Sequence, residues 1–590
     1  SATEAVVKPA NITSNGTIIS KGLNPFNTGI DAVRGQETVY ATLDPLFLKS
    51  QSSPSLSNGN LTYSHSQGIM LANTAYPKTG KWFFEVEMIN TNAGLGIARR
   101  QAPTNQYVGY DTNSWTYYSN GNSASGGKYT NYTSHSTITS YGAGYTSGDV
   151  IGVALDRDTG ELSYYKNGAD QGVAFTGFDD GKEYFPAVGS ANLNINVNFG
   201  QKPFKFPVPD GFRLLSATNS RPETVISNPE TYFKPLIYDA AGGQGGSRHI
   251  DVGFEADFIW IKNRNNVKWH ILVNGVIGYN KFISSNSDMA LSTEAHVTNV
   301  HKTGYTVNDI DSGTVNEPGL TYVAWNWKAG GHSSNYNIDG AGYATASAAG
   351  LSCTADLVGA SVGTKQGFSI IQYQATSGET VAHGLSQQPD FMMIKNYDSQ
   401  NDWMVYHKNA GAAGIDLTSS QGLNLNNANG TFTSGSNTFI TGKSATTFTV
   451  GSSAIVQNGS NDYCAFVWHD VPGLQKFGYY KGNNDSNGSY VELGFRPALL
   501  IIKRTDTDGY YWTLFDSARR TFNVNNHTLN PESNRAEETS GGNGEVDFLS
   551  NGFKCRDNDG GINGDGGDYI YMAWAEAPVS NLYGASSNAR

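Results

Sequence analysis

The sequence predicts an all-β protein built of β-sandwiches, and three observations carry that prediction. Apolar residues at helical spacing are nearly absent; short alternating runs recur instead, separated by Asn-Gly, Asp-Gly and Gly-Gly turns. The composition suits short strands and many turns, with 69 Gly, 12% aromatic and only 15% charged residues among 590. Three phrases ending in Lys262, Lys395 and Lys503 repeat at a spacing of more than about 100 residues, which is domain-sized and too long for a solenoid.

Charge and cysteine content exclude several classes. Net charge is −12, with 39 Lys+Arg against 51 Asp+Glu and no basic run. A duplex or an anionic membrane would be met by a Lys/Arg stripe, so no nucleic-acid partner is expected. The longest apolar runs, such as 498–502, are far shorter than a spanning helix, so no membrane insertion is expected. Cys353, Cys464 and Cys555 show no disulfide framework and no metal spacing. Each reads as a small buried hydrophobe made in a reducing compartment. The N-terminus lacks a basic and apolar leader pattern, and Ser1 fits removal of an initiator Met in a bacterial-type cytosol.

In chain order, residues 1–40 lack periodicity and read as an arm, flexible or ordered by a partner. Residues 41–215 form one β-rich unit. In it, Phe83-Phe84-Glu85-Val86-Glu87-Met88 alternates, and Glu161–Lys166 leads into Asn167-Gly168, which supplies the positive φ of a tight hairpin. Residues 216–232 read as a linker. Three sandwich repeats follow at 233–330, 367–475 and 476–590, with a Gly/Ala/Ser-rich linker or insertion at 331–366.

In each repeat an apolar run (258–261, 391–394, 499–502) precedes the Lys. A continuous run of this kind is a strand buried on both faces, hence central in its sheet. The Lys is expected to snorkel out at the strand end, its stem over the following Trp269, Trp403 or Trp512. An upstream strand holds Tyr238, Tyr373 or Tyr479, and each unit closes on an aromatic strand ending in Trp325, Trp468 or Trp574.

Candidate chemistry is thin. Glu85 and Glu87 share a strand face, as the carboxylates of a retaining glycosidase would. Asp557-Asn558-Asp559-Gly560 through Asp568 concentrates oxygen ligands but lacks the EF-hand Glu, and reads as a solvated turn rather than a calcium loop. His383, His407 and His469 read as single core or turn residues, and no metalloprotease, serine-hydrolase or phosphate-loop motif occurs. No cofactor and no metal are expected.

Six phrases within 41–215 resemble the SPRY domain. They are Gly80–Met88; Gly94-Leu95-Gly96-Ile97-Ala98; Gly109–Trp115; Gly148-Asp149-Val150-Ile151-Gly152-Val153-Ala154-Leu155-Asp156; Ser163–Gly168; and Tyr184-Phe185-Pro186-Ala187-Val188 with Asn198-Phe199-Gly200-Gln201. The resemblance implies a concanavalin-like jelly roll that recognises partners through loops at one end and does no chemistry. The stretch after Trp115 is rich in Tyr, Asn, Ser and Gly, the composition of adaptable binding loops. Trp115, Tyr117, Tyr118, Asn120, Asn122, Tyr129 and Tyr132 are therefore the candidate ligand-binding residues. Simple cover of the sandwich end is the alternative.

Residues 233–590 resemble β-rich repeats of tail-fibre-like virion proteins of tailed bacteriophages. That resemblance implies a non-enzymatic virion protein, made in the bacterial host cytoplasm. Its partners would be other tail or capsid proteins and a host surface glycan or receptor, bound multivalently by a homotrimer, with residues 1–40 docking to the particle. A capsid-decorating or tail-assembly component and a capsule depolymerase stand as alternatives.

Overall fold

The computed structural model describes residues 40–587 except 48–54, 66–67, 91–92, 104, 120–124, 135–136, 190–192, 217–224, 227, 241–245, 311–313, 543, 578 and 581–585. Residues 1–39 of the expected arm, most of the expected linker, Asn120 and Asn122 lie outside the described residues. The described chain is almost wholly β, as predicted, and divides into two compact units, Ser1–Pro222 and Glu223–Arg590.

The first unit is a two-sheet sandwich. One sheet runs in the order Ser55–Ser57, Thr62–His65, Leu193–Asn198, Lys81–Met88, Val150–Asp156, Glu161–Lys166, Ala169–Thr176, with Arg213–Leu214 parallel to Lys81–Met88. The other runs Ile69–Leu71, Phe185–Gly189, Ala93–Ala98, Ser114–Ser119, Ser125–Tyr129, Thr139–Ala143. Strict alternation builds the core between them. Trp82, Phe84, Val86 and Met88 point inward from one strand, and Ile151, Val153 and Leu155 from its neighbour. Gly152 alternates to the other face, where a Cβ would stand 2.6 Å from the Phe83 ring, so glycine is what fits there. The Asn167-Gly168 hairpin turn forms as read, with φ of 49° and 81°.

The second unit contains the three repeats, and their strand orders coincide. Each has a four-stranded path of first, last, second and third strand. These paths are Phe233–Asp239, Thr321–Trp327, Phe258–Asn263, Ile271–Asn274; then Phe368–Gln374, Tyr463–Trp468, Phe391–Asn396, Met404–His407; then Gln475–Lys481, Asp568–Ala575, Pro497–Arg504, Thr513–Asp516. Each also has a small three-stranded sheet.

The doubly buried strands have a specific origin. Phe258 and Trp260 face a core shared by all three repeats, while Ile259 and Ile261 face the repeat's own small sheet. In the third repeat Leu499 and Ile501 face the shared core, and Leu500 and Ile502 the private one. The shared core is one continuous cluster from Ile226 to Trp574, and the first and third repeats add private cores of their own. At its centre Trp327, Trp468 and Trp574 meet edge to face, with ring centroids 5.4, 6.0 and 6.4 Å apart. The void beside them is about 10 Å³ and lined only by apolar atoms, which leaves no room for a ligand.

Several expectations are corrected here. The three lysines do not snorkel; they are fully buried. Lys395 Nζ donates to the carbonyls of Asn401 (2.8 Å), Asp288 (3.0 Å) and Asn396 (3.1 Å). Lys503 Nζ donates to Tyr510 (2.6 Å) and Ala428 (3.2 Å), and Lys262 Nζ to Asn263 (2.7 Å). Asp288 and Ala428 belong to the preceding repeat, whose loop covers the strand end that would otherwise be open to water. Trp269 is not the counterpart of Trp403 and Trp512: it is 39% exposed, and His270 occupies the position. His270 Nε2 meets Asn530 O at 3.2 Å, Trp403 Nε1 donates to Ser284 O at 2.9 Å, and Trp512 Nε1 to Asn424 O at 3.0 Å. Each bond reaches the preceding repeat, and the first repeat reaches the third, so the set closes into a ring.

Tyr480, not Tyr479, matches Tyr238 and Tyr373. All three stack on a strand partner and donate to a carbonyl, of Val315, Val456 and Ile562. Residues 331–366 are not a loose linker: Tyr336–Ile338, Ala341–Tyr343 and Asp356–Gly363 add three strands at one edge of the second repeat's four-stranded path, and Gln421–Asn424 and Phe432–Thr433 add two at the other, making a nine-stranded sheet. The acidic stretch 557–568 is not a solvated turn, since it wraps buried Asn563, whose Nδ2 donates to Asn483 Oδ1, Asp485 O and Asp557 O. Cys464 and Cys555 are buried as small hydrophobes, and Cys353 is half-buried. His383 and His407 sit buried at turns, accepting the Leu385 and Asn409 amides.

Candidate functional site

The candidate site lies on Ser114–Ser119, between Ala93–Ala98 and Ser125–Tyr129. Alternation divides the predicted residues. Trp115 and Tyr117 turn inward: Trp115 stands edge-on to Phe178 and Tyr184, and Tyr117 is fully buried against Tyr141, Tyr145 and Tyr164, its hydroxyl donating to Ala143 O. Tyr117 is a core residue and half-buried Trp115 packs against that core, which corrects their place among the binding candidates. Tyr118 and Tyr129 turn outward, with rings 5.9 Å apart, and Tyr132 lies 5.2 Å from Tyr129.

Two tyrosines that the sequence reading missed complete the cluster. Tyr107 is 6.0 Å from Tyr132 and 5.9 Å from Tyr110. Tyr129 forms the floor, Tyr107, Tyr118 and Tyr132 are half-buried, and Tyr110 is 38% exposed. The signal available was their position beside Gly109: Tyr110 lies within the Gly109–Trp115 phrase already singled out, and Tyr107 just before it.

The loop carrying Tyr107 and Tyr110 is held by its own residues. Asp111 Oδ1 accepts the Asn113 amide at 3.0 Å and Ser114 Oγ at 3.2 Å, and Ser114 Oγ accepts the Gly109 amide at 2.8 Å. The Tyr132 amide donates to Gly109 O at 3.1 Å, joining the second tyrosine segment to the first. Gly109 has φ +93°, and a Cβ there would lie 2.6 Å from the Tyr129 ring, so only glycine lets the loop close on its floor. Burial, reinforced by the neighbouring phenols, raises the pKa of Tyr107, Tyr118 and Tyr129. At neutral pH the face therefore offers neutral hydroxyls and ring surface, suited to binding and not to proton transfer.

The other candidate chemistry has a structural use. Glu85 and Glu87 do share a face. Glu85 is buried and accepts Asn198 Nδ2 at 2.9 Å and the Lys205 amide at 3.2 Å. Glu87 pairs with the Lys205 ammonium and accepts Asn196 Nδ2 at 3.3 Å. Burial pushes the Glu85 carboxyl up, while Lys205 holds that of Glu87 down. Both carboxylates serve to fasten the 202–206 segment to the sheet. Among the described residues, no three His, Cys, Asp or Glu side chains are grouped to hold a metal, and no helix is long and apolar enough to cross a membrane.

A sandwich of this topology, with the six phrases on its strands, defines a SPRY domain, and residues 81–202 match the SPRY domain model. Residues 228–578 match the model described as a domain of unknown function, DUF7483, and the chain belongs to that family. The SPRY segment is 35% identical over 143 residues to a Ran-binding proteins 9/10 homolog of Drosophila melanogaster, covering 22% of this chain and 14% of the relative. It is 33% identical over 147 residues to the E3 ubiquitin-protein ligase RKP of Arabidopsis thaliana, covering 24% and 11%. It is 30% identical over 140 residues to Ran-binding protein 9 of Homo sapiens, covering 23% and 18%. The chain thus spans well under a quarter of these relatives' length. The SPRY domain of human HERC1 is 21% identical at a TM-score of 0.22, covering 27% of this chain and 99% of that one.

These relatives overturn the reading as a bacteriophage virion protein. They are Ran-binding proteins and a ubiquitin ligase of animals and a plant, not parts of a virus particle. The tail fibre, the virion location, the virion and host-glycan partners, and the capsid-decorating and depolymerase alternatives fall with it. The homotrimer rested on the same analogy; the three-fold arrangement observed lies within one chain. The misreading has a physical origin: the repeats carry packing residues but no chemistry that could tie them to a setting.

Proposed function

We propose that residues 81–202 form a non-catalytic protein-recognition module. In this reading the face made by Tyr107, Tyr110, Tyr118 and Tyr132 docks an extended segment of a partner protein. The observation that carries it is the tyrosine cluster itself, exposed at Tyr110 and mounted on a sheet through a loop locked at Gly109. Tyrosine gives large contact area at low entropic cost, and a locked loop pays that cost before binding. The relatives' name as Ran-binding proteins supports a binding duty for the shared segment.

The test is selection of a displayed-peptide library on the immobilised full chain. Enriched peptides should lose about tenfold or more in affinity on Tyr110→Ala or Tyr132→Ala, the loss of a central aromatic contact, with unchanged melting temperature. Equal binding by both variants would refute the assignment.

A further inference from the structure

The first repeat carries a histidine pair that its fold does not need. His249 lies on Ser247–Asp251 and His301 ends Val297–His301, the two outer strands of a three-stranded sheet. Gly304 of the middle strand stands between His301 and Asp251, and over this position without a side chain the His301 ring reaches diagonally to His249, whose own partner is Thr306. The imidazoles stack with centroids 4.6 Å apart and planes 19° apart, and His301 Nε2 is 3.3 Å from His249 Nδ1. Both side chains are exposed. The corresponding strands of the third repeat, Tyr490–Glu492 and Val546–Leu549, hold no histidine and form the same sheet, so packing does not account for the pair.

We propose that His249 and His301 form a chelating site for one divalent transition-metal ion of the zinc, nickel or copper type. Two Zn–N bonds of about 2.05 Å spanning the observed 3.3 Å open an N–Zn–N angle of about 107°, close to tetrahedral. Imidazole is the favoured neutral ligand for this class of metal. The ring torsion of an exposed histidine is broad, so both lone pairs turn onto one ion at little cost. Thr303 supplies the outer support. Its amide donates to His301 Nδ1 at 3.4 Å, and its hydroxyl, also 3.4 Å away, accepts the N–H there once the tautomer changes and Nε2 binds the metal. Asp251, on the same strand face as His249, adds negative charge nearby. Water or a partner's side chain completes the coordination.

The test is Cu²⁺ titration of the full chain at pH 7.5, read by electron paramagnetic resonance and calorimetry. The expected result is one equivalent with nitrogen couplings from two imidazoles. It should be lost in both His249→Asn and His301→Asn, whose melting temperatures should match the parent. Uptake unchanged in either variant, or a signal carrying one nitrogen only, would overturn the site.

Discussion

Lys395 shows how one side chain can set a pH response. Three carbonyl dipoles hold its ammonium, but no carboxylate among the described residues stands in ion-pair contact, so burial pushes its pKa down from 10.5 to about 8. Lys262 is pushed down to about 7 for the same reason. Between about pH 8 and 10.5 the unfolded chain keeps the Lys395 proton that the folded chain has released, so stability rises with pH in that window. A shift of this size corresponds to roughly 3 kcal/mol. From pH 8 to 10 the urea midpoint of the full chain should rise relative to that of Lys395→Met, the difference isolating this lysine from the buried thiols and phenols that act with the opposite sign. Glu532 has the opposite sign. It accepts the Trp512 amide at 2.7 Å where the sister repeats use Asn286 and Asn426, and burial raises its carboxyl pKa. The unfolded chain releases that proton first, so this position loses stability as pH rises above about 4.5. Glu532→Gln should therefore stabilise the protein at pH 8, with the gain shrinking toward pH 5.

At the scale of elements, the ring of bonds between repeats makes equivalent residues comparable. Trp403→Phe and Trp512→Phe each remove an indole N–H and leave a buried carbonyl of the preceding repeat bare, at a cost of about 1–2 kcal/mol. Thermal melts should show similar losses for both and almost none for Trp269→Phe, which lies outside the ring. In the SPRY segment, Gly109→Ala forces a Cβ into the Tyr129 ring at a positive φ, costing about 1–3 kcal/mol. It should also weaken peptide binding, because Tyr107 and Tyr110 ride on that loop. The strands were legible in the sequence because alternation and Asn-Gly turns are local. The site was legible only in part: Tyr118, Tyr129 and Tyr132 were picked out, but which face Trp115 and Tyr117 occupy depends on the register of the opposite sheet. The slip from His270 to Trp269 came from matching residue type: His270 and Trp403 each stand eight residues after their lysine, but only the second is a tryptophan.

For the whole molecule, the shared core predicts cooperativity. The three repeats meet at Trp327, Trp468 and Trp574, so 223–590 should unfold in one calorimetric transition. Trp574→Ala should cost about 3–5 kcal/mol and lower the melting of probes in the first repeat as much as in the third. Separate melting of the repeats would contradict a common core. By itself the sequence determined the β class, the SPRY phrases and the triplication, because each is written in neighbouring residues through period-two patterning and turn chemistry. Only the tertiary structure decided that the repeats close on one another, that their lysines are sealed in, and that five tyrosines gather on one face. Those outcomes depend on what packs against a strand from distant parts of the chain, and no local pattern records which neighbour arrives.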